Sequence, residues 1–314
     1  MASRLSSFIP HATFHPIICQ ISMMKSLFYL LAPALLVSEW AAAQKVTNRL
    51  QFNQGQTLEI VMDTKTTIAQ QAMGQAIDFN LDGTGLHQYE VTNATEENTT
   101  LRHRVKQVRF SFDGMGQKRS FDSGNDKDLN GPMGKPLKEM LEKKYDLILD
   151  TAGTTLMAMP EKVELPGGDS RAAMITSMMG DLMALVQPPK KGTASFFRVL
   201  PDSAVGVGST WTETTPLETG NRDAAYRLSE INDTTIVVDF ATSSSTRTKA
   251  EMMGSEITTN MNNKSTGRII IDRATGLMRQ KNETIESNGS TETGFGTVPI
   301  TSRTTTTIQV TPRN

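Results

Sequence analysis

The 314-residue sequence contains one cysteine, two tryptophans, four tyrosines and four histidines. A lone cysteine makes no intramolecular disulfide and no cysteine-based zinc site. Charge of one sign is also lacking. Lys and Arg number 32 and Asp and Glu 33, net −1, so there is no basic excess to neutralise nucleic-acid phosphates. No apolar run reaches the roughly 20 residues of a bilayer-spanning helix. The Gly-x-Ser-x-Gly elbow of α/β hydrolases and the glycine-rich phosphate loop are both missing. Gly114-Met115-Gly116 follows a strand pattern and opens no helix, so it reads as a turn. What the chain has instead is threonine, about 40 residues of it, and 18 methionines concentrated at 157–183. Threonine is β-branched and suits half-buried strands.

The N-terminus has the layout of a secretory signal. Met23-Met24-Lys25 opens a short basic region, Ser26 to Val37 is apolar, and Ala41-Ala42-Ala43 offers small residues before Gln44. Residues 1–22 read as an over-long gene start, 23–43 as the signal peptide, with cleavage expected after Ala43. Cys19 follows Ile17-Ile18 and not a lipobox pattern, so no lipidation is expected. Removal of residues 1–43 leaves 30 basic and 32 acidic residues, no cysteine, and His87, His103 and Trp211 as the only residues of their types. The expected location is the periplasm or the extracellular space.

Residues 75–92 alternate with a period of two. Ile77, Phe79, Leu81, Gly83, Gly85, His87, Tyr89 and Val91 share one parity, and Asp78, Asn80, Asp82, Gln88 and Glu90 the other. That is one long strand with an apolar and a wet face. Glycine in the middle of the apolar face marks a bend or a close backbone approach. Residues 255–272 repeat the pattern. Both follow a Met-Gly turn, at Met73-Gly74 and Met253-Gly254, and Thr84-Gly85 matches Thr266-Gly267 after a two-residue insertion that keeps every later side chain on its face. Two related hairpin modules are therefore expected, at about 45–123 and 205–311.

The alternation Leu101, His103, Val105 changes parity to Val108, Phe110, Phe112, which predicts a β-bulge near Lys106-Gln107. Asp150-Thr151-Ala152-Gly153 and Asp272 to Gly276 read as turns ending in a left-handed glycine. In the middle of the chain, Pro136 can begin a helix reaching Lys144, with Leu137, Met140 and Leu141 on one face. A second helix is expected over 170–186, ended by Pro188-Pro189, with Met174, Ile175, Met178, Met179, Leu182, Met183, Leu185 and Val186 giving it a broad apolar side. The fold expected is mainly β: an antiparallel curved sheet, or a half-open or closed barrel, built from two hairpin modules with two central helices on its apolar face. The modules would be 44–131 and 193–314, with 132–192 a helical insert containing a β-hairpin, all in one compact domain.

The stretches Phe196 to Asp202, Val205 to Trp211 and Thr266 to Leu277, with the Met-Gly turns, resemble a family of uncharacterised secreted proteins common in Bacteroidetes, a domain of unknown function. The resemblance extends over the chain from 44 onward. It implies a bacterial envelope setting and carries no activity or catalytic residue. In pattern alone, the chain is also similar to the half-barrel lipoprotein carriers of the periplasm.

Chemistry-bearing residues are sparse. His87 lies on an apolar face, which predicts a hydrogen-bonded core residue, and two isolated histidines make a poor metal site. No metal or cofactor is expected. Arg102, Arg104, Lys106 and Arg109 form a basic stripe, read as a solvated strand face. Methionine fills irregular cores and lines adaptable apolar surfaces. The expected site is an apolar pocket between the Met-rich helix and the sheet, lined by Met174, Met178, Met179, Leu182, Met183, Phe79, Tyr89 and Trp211. The function read from these residues is non-catalytic: an exported envelope protein that binds or carries an apolar or lipid ligand. The alternative is a secreted structural or protein-interaction module with a filled core, its partner an envelope protein. A hydrolase using paired carboxylates ranks third.

Overall fold

Threonine-rich alternating segments become long antiparallel strands, because a period-two pattern buries one face of a pleated sheet and wets the other. In the computed structural model, which describes residues 44–72, 75–114, 116–131, 134–163, 182, 185–217, 220–252, 255–293 and 296–313, two meanders build one sheet. The first comprises β2 (Thr57–Ala72), β3 (Gln75–Ala94), β4 (Asn98–Gly114), β5 (Gln117–Asp122), β6 (Lys144–Asp150) and β7 (Thr155–Met159). The second comprises β9 (Thr210–Leu217), β10 (Gly220–Ile231), β11 (Thr235–Met252), β12 (Ser255–Asp272), β13 (Met278–Thr293) and β14 (Gly296–Arg313). A short β1 (Lys45–Val46) pairs separately with β8 (Val205–Gly206). Lys45–Asn314 form one compact unit.

The order across the 12-stranded sheet is β7-β6-β4-β3-β2-β14-β13-β12-β11-β10-β9, with β5 branching from β4. The sheet is open, with edges β7 and β9. Its two meanders meet at the centre, where β2 and β14 pair antiparallel from Thr57–Arg313 to Gln70–Ile300. The chain therefore leaves the sheet at one edge, after β7, and re-enters at the opposite edge, at β9. The described part of the connection contributes Val163, Leu182, Leu185, Val186, Phe197, Val199 and Leu200 to the core, and its Arg198 donates to Thr154 beside β7 while its charge reaches Glu213 on β9.

The bulge falls where the parity change predicts it: His87 faces Val105, Leu86 faces Gln107, and Lys106 has no opposite number. Tyr89, His103 and Val105 below the bulge, and Val108, Phe110 and Phe112 above it, thus share one face. Both predicted turns are present, with Gly153 at φ 81° and Gly276 at φ 71°. The Asp150 carboxylate accepts from the backbone N–H groups of Ala152 and Thr154, and Asp272 accepts from Thr275. Gly116, at φ 70°, makes the β4–β5 connection a turn.

Two helices are described. A one-turn α1 (Asp126–Leu129), capped by Asn125, was not expected from the pattern. Helix α2 (Gly134–Leu141) buries Leu137 and Met140, three residues apart, on the sheet. It stops at Leu141, not Lys144, because Lys144 already begins β6. The hairpin β6–β7 continues the first meander through the pairing of β6 with β4. Residues 164–181 and 183–184 lie outside the described residues, so the helix expected over 170–186 does too, apart from Leu182, Leu185 and Val186. The repeat is visible in geometry: Ala72 faces Gln75 and Met252 faces Ser255 at the two tips, and Gly85 and Gly267 both lie on the core-facing parity.

Candidate functional site

The face that carries the core is the inner face of the sheet. Along β3 it presents Phe79, Leu81, Gly83, Gly85, His87 and Tyr89, as the alternation predicts. Neither Gly83 nor Gly85 has a left-handed backbone; the requirement is space. A methyl carbon at 83 would overlap Leu182 Cδ1, and one at 85 would stand 3.4 Å from the Leu182 carbonyl oxygen. The two glycines form a hollow in which Leu182 sits.

Beside this seat lies a buried polar clasp. His87 Nε2 is 2.9 Å from the Leu182 carbonyl oxygen, and His87 Nδ1 is 3.1 Å from His103 Nε2. A carbonyl only accepts, so His87 donates through Nε2, and its Nδ1 then accepts from the N–H of His103. Tyr145 donates to the Leu185 carbonyl at 2.9 Å and takes a hydrogen bond from Tyr89 at 2.8 Å. Two parallel two-residue chains thus end on backbone carbonyls three residues apart. The four rings also pack on one another, His103 stacking on Tyr145 at 4.6 Å.

Burial favours the neutral form of all four groups. It pushes His87 down from 6.5 to about 4, against the opposing hydrogen bond to Leu182. Burial, together with the neighbouring imidazole, pushes His103 down further. Tyr89 and Tyr145 are both raised, chiefly by burial. With both imidazole N–H protons directed to fixed acceptors, this pair holds the Leu182 backbone in place. Among the described residues no group of three His, Cys, Asp or Glu could hold a metal.

Register defines what lies above the clasp on the same face. One row crosses the sheet through Phe110, Gly83, Thr64, Thr306, Glu283, Gly267, Phe240, Tyr226 and Trp211. The next runs through Phe112, Leu81, Thr66, Thr304, Ile285, Ser265, Thr242, Ala224 and Glu213. The two ends differ in chemistry. Over β2–β4 the rows are apolar apart from Thr64 and Thr66: Phe79 and Phe112 lie 5.8 Å apart and half-buried, next to Leu81 and the half-buried Ile68. Over β9–β13 aromatic residues, Phe240, Tyr226 and Trp211, stand beside hydroxylated and charged ones, Ser265, Thr242, Glu283 and Glu213. Ser265 donates to Glu283 at 2.6 Å and meets Thr242 at 2.7 Å, and Lys281 pairs with Glu283 at 2.6 Å while standing over the Phe240 ring. Burial alone would raise Glu283, but the Lys281 ammonium and the Ser265 hydroxyl outweigh it and lower its pKa; burial raises Glu213 despite Arg198 and Arg222.

The expected pocket residues separate into groups. Leu182 and Tyr89 are core residues around the clasp, Phe79 belongs to the apolar end of the rows, and Trp211 stacks on Tyr226 at 5.4 Å near the other edge. Met174, Met178, Met179 and Met183 lie outside the described residues. The basic stripe is the paired, solvated face that was expected: Arg102 is bidentate to Asp146, Arg104 reaches Gln88, and Arg109 reaches Gln107. The exposed parity of β2–β4 carries Asp63, Lys65, Asp82, Arg102 and Arg109 in this way, whereas a lipid-facing strand would present an apolar band there. An open trough of about 740 Å³ on this side is lined by Asp63, Asp82, Arg109, Asp122 and Asp128 among others. No described helix is long and apolar enough to cross a membrane. The clasp was only half legible: His87 and Tyr89 stand on an apolar parity, but their partners are set by strand pairing and by the returning connection.

No curated protein sequence matches the chain. Among solved structures, an outer membrane channel from Pseudomonas putida F1 is similar at 9% identity over 84% of this chain and 98% of that one, with a TM-score of 0.24. Residues 169–278, which run from the Met-rich segment to the start of β13, match the model of a family of unknown function, DUF6263, and it is over these residues that the chain shows its family likeness.

Proposed function

We propose that the protein is a non-catalytic, exported envelope protein that binds an apolar ligand on the inner face of β2–β4, beside the seat of Leu182. The observation that carries this reading is the half-buried strip Ile68, Phe79 and Phe112, which continues the apolar face beyond the last residues of the core. The clasp supports it, because two hydrogen-bonded chains hold the end of the Met-rich segment next to that strip. Methionine-rich surfaces adapt to apolar ligands of varied shape. Export rests on the basic, apolar and small-residue sequence of 23–43, and the product would begin at Gln44 in the periplasm or outside the cell. The test is mass spectrometry of the protein purified from its own envelope, native and then denatured. An adduct present only in the native spectrum and extractable as lipid is the expected result. A bare native mass equal to the denatured one, together with no uptake of added fatty acid, would refute the ligand.

A second reading has its own observation. Leu156, Met157 and Met159, 40%, 44% and 51% exposed, stand on the edge strand β7. Exposed apolar residues on an edge favour a protein partner. Capture of an envelope protein lost on Met157→Lys, with fatty-acid binding absent, would favour this interaction module.

A further inference from the structure

The hydroxylated end of the inner rows has features that core packing does not use. Thr306 is 5% exposed, and its hydroxyl has no hydrogen-bond partner among the described residues, although it stands directly opposite Glu283. Trp211 Nε1, at the far end of the same row, is likewise buried and without an acceptor among those residues. A buried polar atom left unpaired is costly, so such atoms mark places where something else completes the bonding. Between them lie Glu283, with Ser265 on it, and Glu213, with Arg222 in its field. The charges here are already matched: Lys281 with Glu283, Arg222 near Glu213. A face whose charges cancel does not select a ligand by net charge. It offers both acceptors and donors, and each Ser or Thr hydroxyl does both. That combination suits a ligand made of neutral hydroxyl groups.

Building on the apolar-ligand reading, we propose that the ligand is an amphiphile. Its apolar part lies on Phe79, Leu81 and Phe112, and its neutral, hydroxylated head group, a saccharide or polyol, binds across Glu213, Ser265, Glu283 and Thr306. The two ends share one row. Leu81 to Ser265 is four strand spacings or a little more, about 20 Å, within reach of a single-chain amphiphile. The exposed parity of β2–β4 carries paired arginines and carboxylates, whereas on the inner face the apolar and the hydroxylated residues share one row.

The test compares two probes with the same tail, dodecyl maltoside below its micellisation concentration and dodecanoate, by titration calorimetry on the intact protein. The proposal expects the maltoside to bind tighter by about five-fold or more, the equivalent of one net hydrogen bond. Glu213→Gln should erase that preference and leave dodecanoate binding unchanged. Ser265→Ala should do the same, and Glu213→Gln, on the partly exposed edge strand, stands alone if Ser265→Ala fails to fold. Equal affinities for the two probes, or a variant that weakens both alike, would overturn the head-group site while leaving the apolar site standing. Binding of neither probe would overturn both.

Discussion

At the scale of single residues, the cost of a change depends on which groups it leaves unpaired. Tyr145 both donates to Leu185 and accepts from Tyr89, whereas Tyr89 only donates. Tyr145→Phe strands a buried carbonyl and a buried hydroxyl, and should cost about 1–3 kcal/mol. Tyr89→Phe leaves the Tyr145–Leu185 bond intact and should cost about 0.5–1.5 kcal/mol. Chemical denaturation of the two variants checks the order, and a larger loss for Tyr89→Phe would contradict the assigned directions. Gly83→Val collides with Leu182 and should destabilise by about 1–3 kcal/mol. It should also speed protease cleavage at Lys190 and Lys191, since the seat of the preceding segment is lost; unchanged cleavage would mean that the glycine hollow does not hold it. Sequence reading placed His87 in the core correctly, because a residue's face follows from local alternation. It assigned Tyr89 to a pocket wall, because Tyr145, the partner that occupies its hydroxyl, lies 56 residues away and local periodicity carries no trace of it.

At the scale of elements, the bulge at Lys106 keeps β4 in phase with its neighbours. Below it His103 faces inward, and above it Val108 and Phe110 do, which one extra residue makes possible. Deleting Lys106 removes only the residue without an opposite number, so Val105, Val108, Phe110 and Phe112 should all stay inward with Gln107 still facing Leu86, and stability should change by less than about 1 kcal/mol. Thermal unfolding followed by circular dichroism reads this, and a deletion variant that loses more than about 3 kcal/mol or fails to fold would contradict the assignment of Lys106 as the extra residue. This feature was legible because a change of parity within an apolar run needs one extra residue in one strand if both parts are to face the core. The helix boundaries were less so: α2 ends at Leu141 because the residue at 144 is taken by β6, a competition between elements that helix-forming pattern does not register. The polar rows over β9–β13 escaped notice for a related reason, since Ser265, Glu283 and Thr306 come together only through register.

At the scale of the whole molecule, two meanders share one sheet and the connection between their outer edges supplies part of the core. The Met-Gly turns and matching parity signalled two modules, but strand order decides that β2 meets β14 and that β7 and β9 form the edges, and no local signal encodes strand order. Global stability should report the buried imidazoles. The unfolded chain takes up protons near pH 6.5, while folded His87 resists until about 4 and His103 resists further. As pH falls through that window the unfolded state binds protons that the folded state refuses, so stability decreases, by up to about 1.4 kcal/mol per pH unit for each imidazole. Denaturation midpoints at pH 7.5 and 5.5 test this, because that interval lies above the range where the paired carboxylates titrate. A midpoint that does not move would contradict the buried neutral pair. The central claim is that an apolar ligand occupies the inner face of β2–β4, and its most direct test is photolabelling with a diazirine-bearing fatty acid followed by peptide mapping. Labels are expected on the segments around Ile68, Phe79 and Phe112 and on the segment ending at Leu182. Labels confined to Leu156–Met159 on the β7 edge, or none at all, would contradict it.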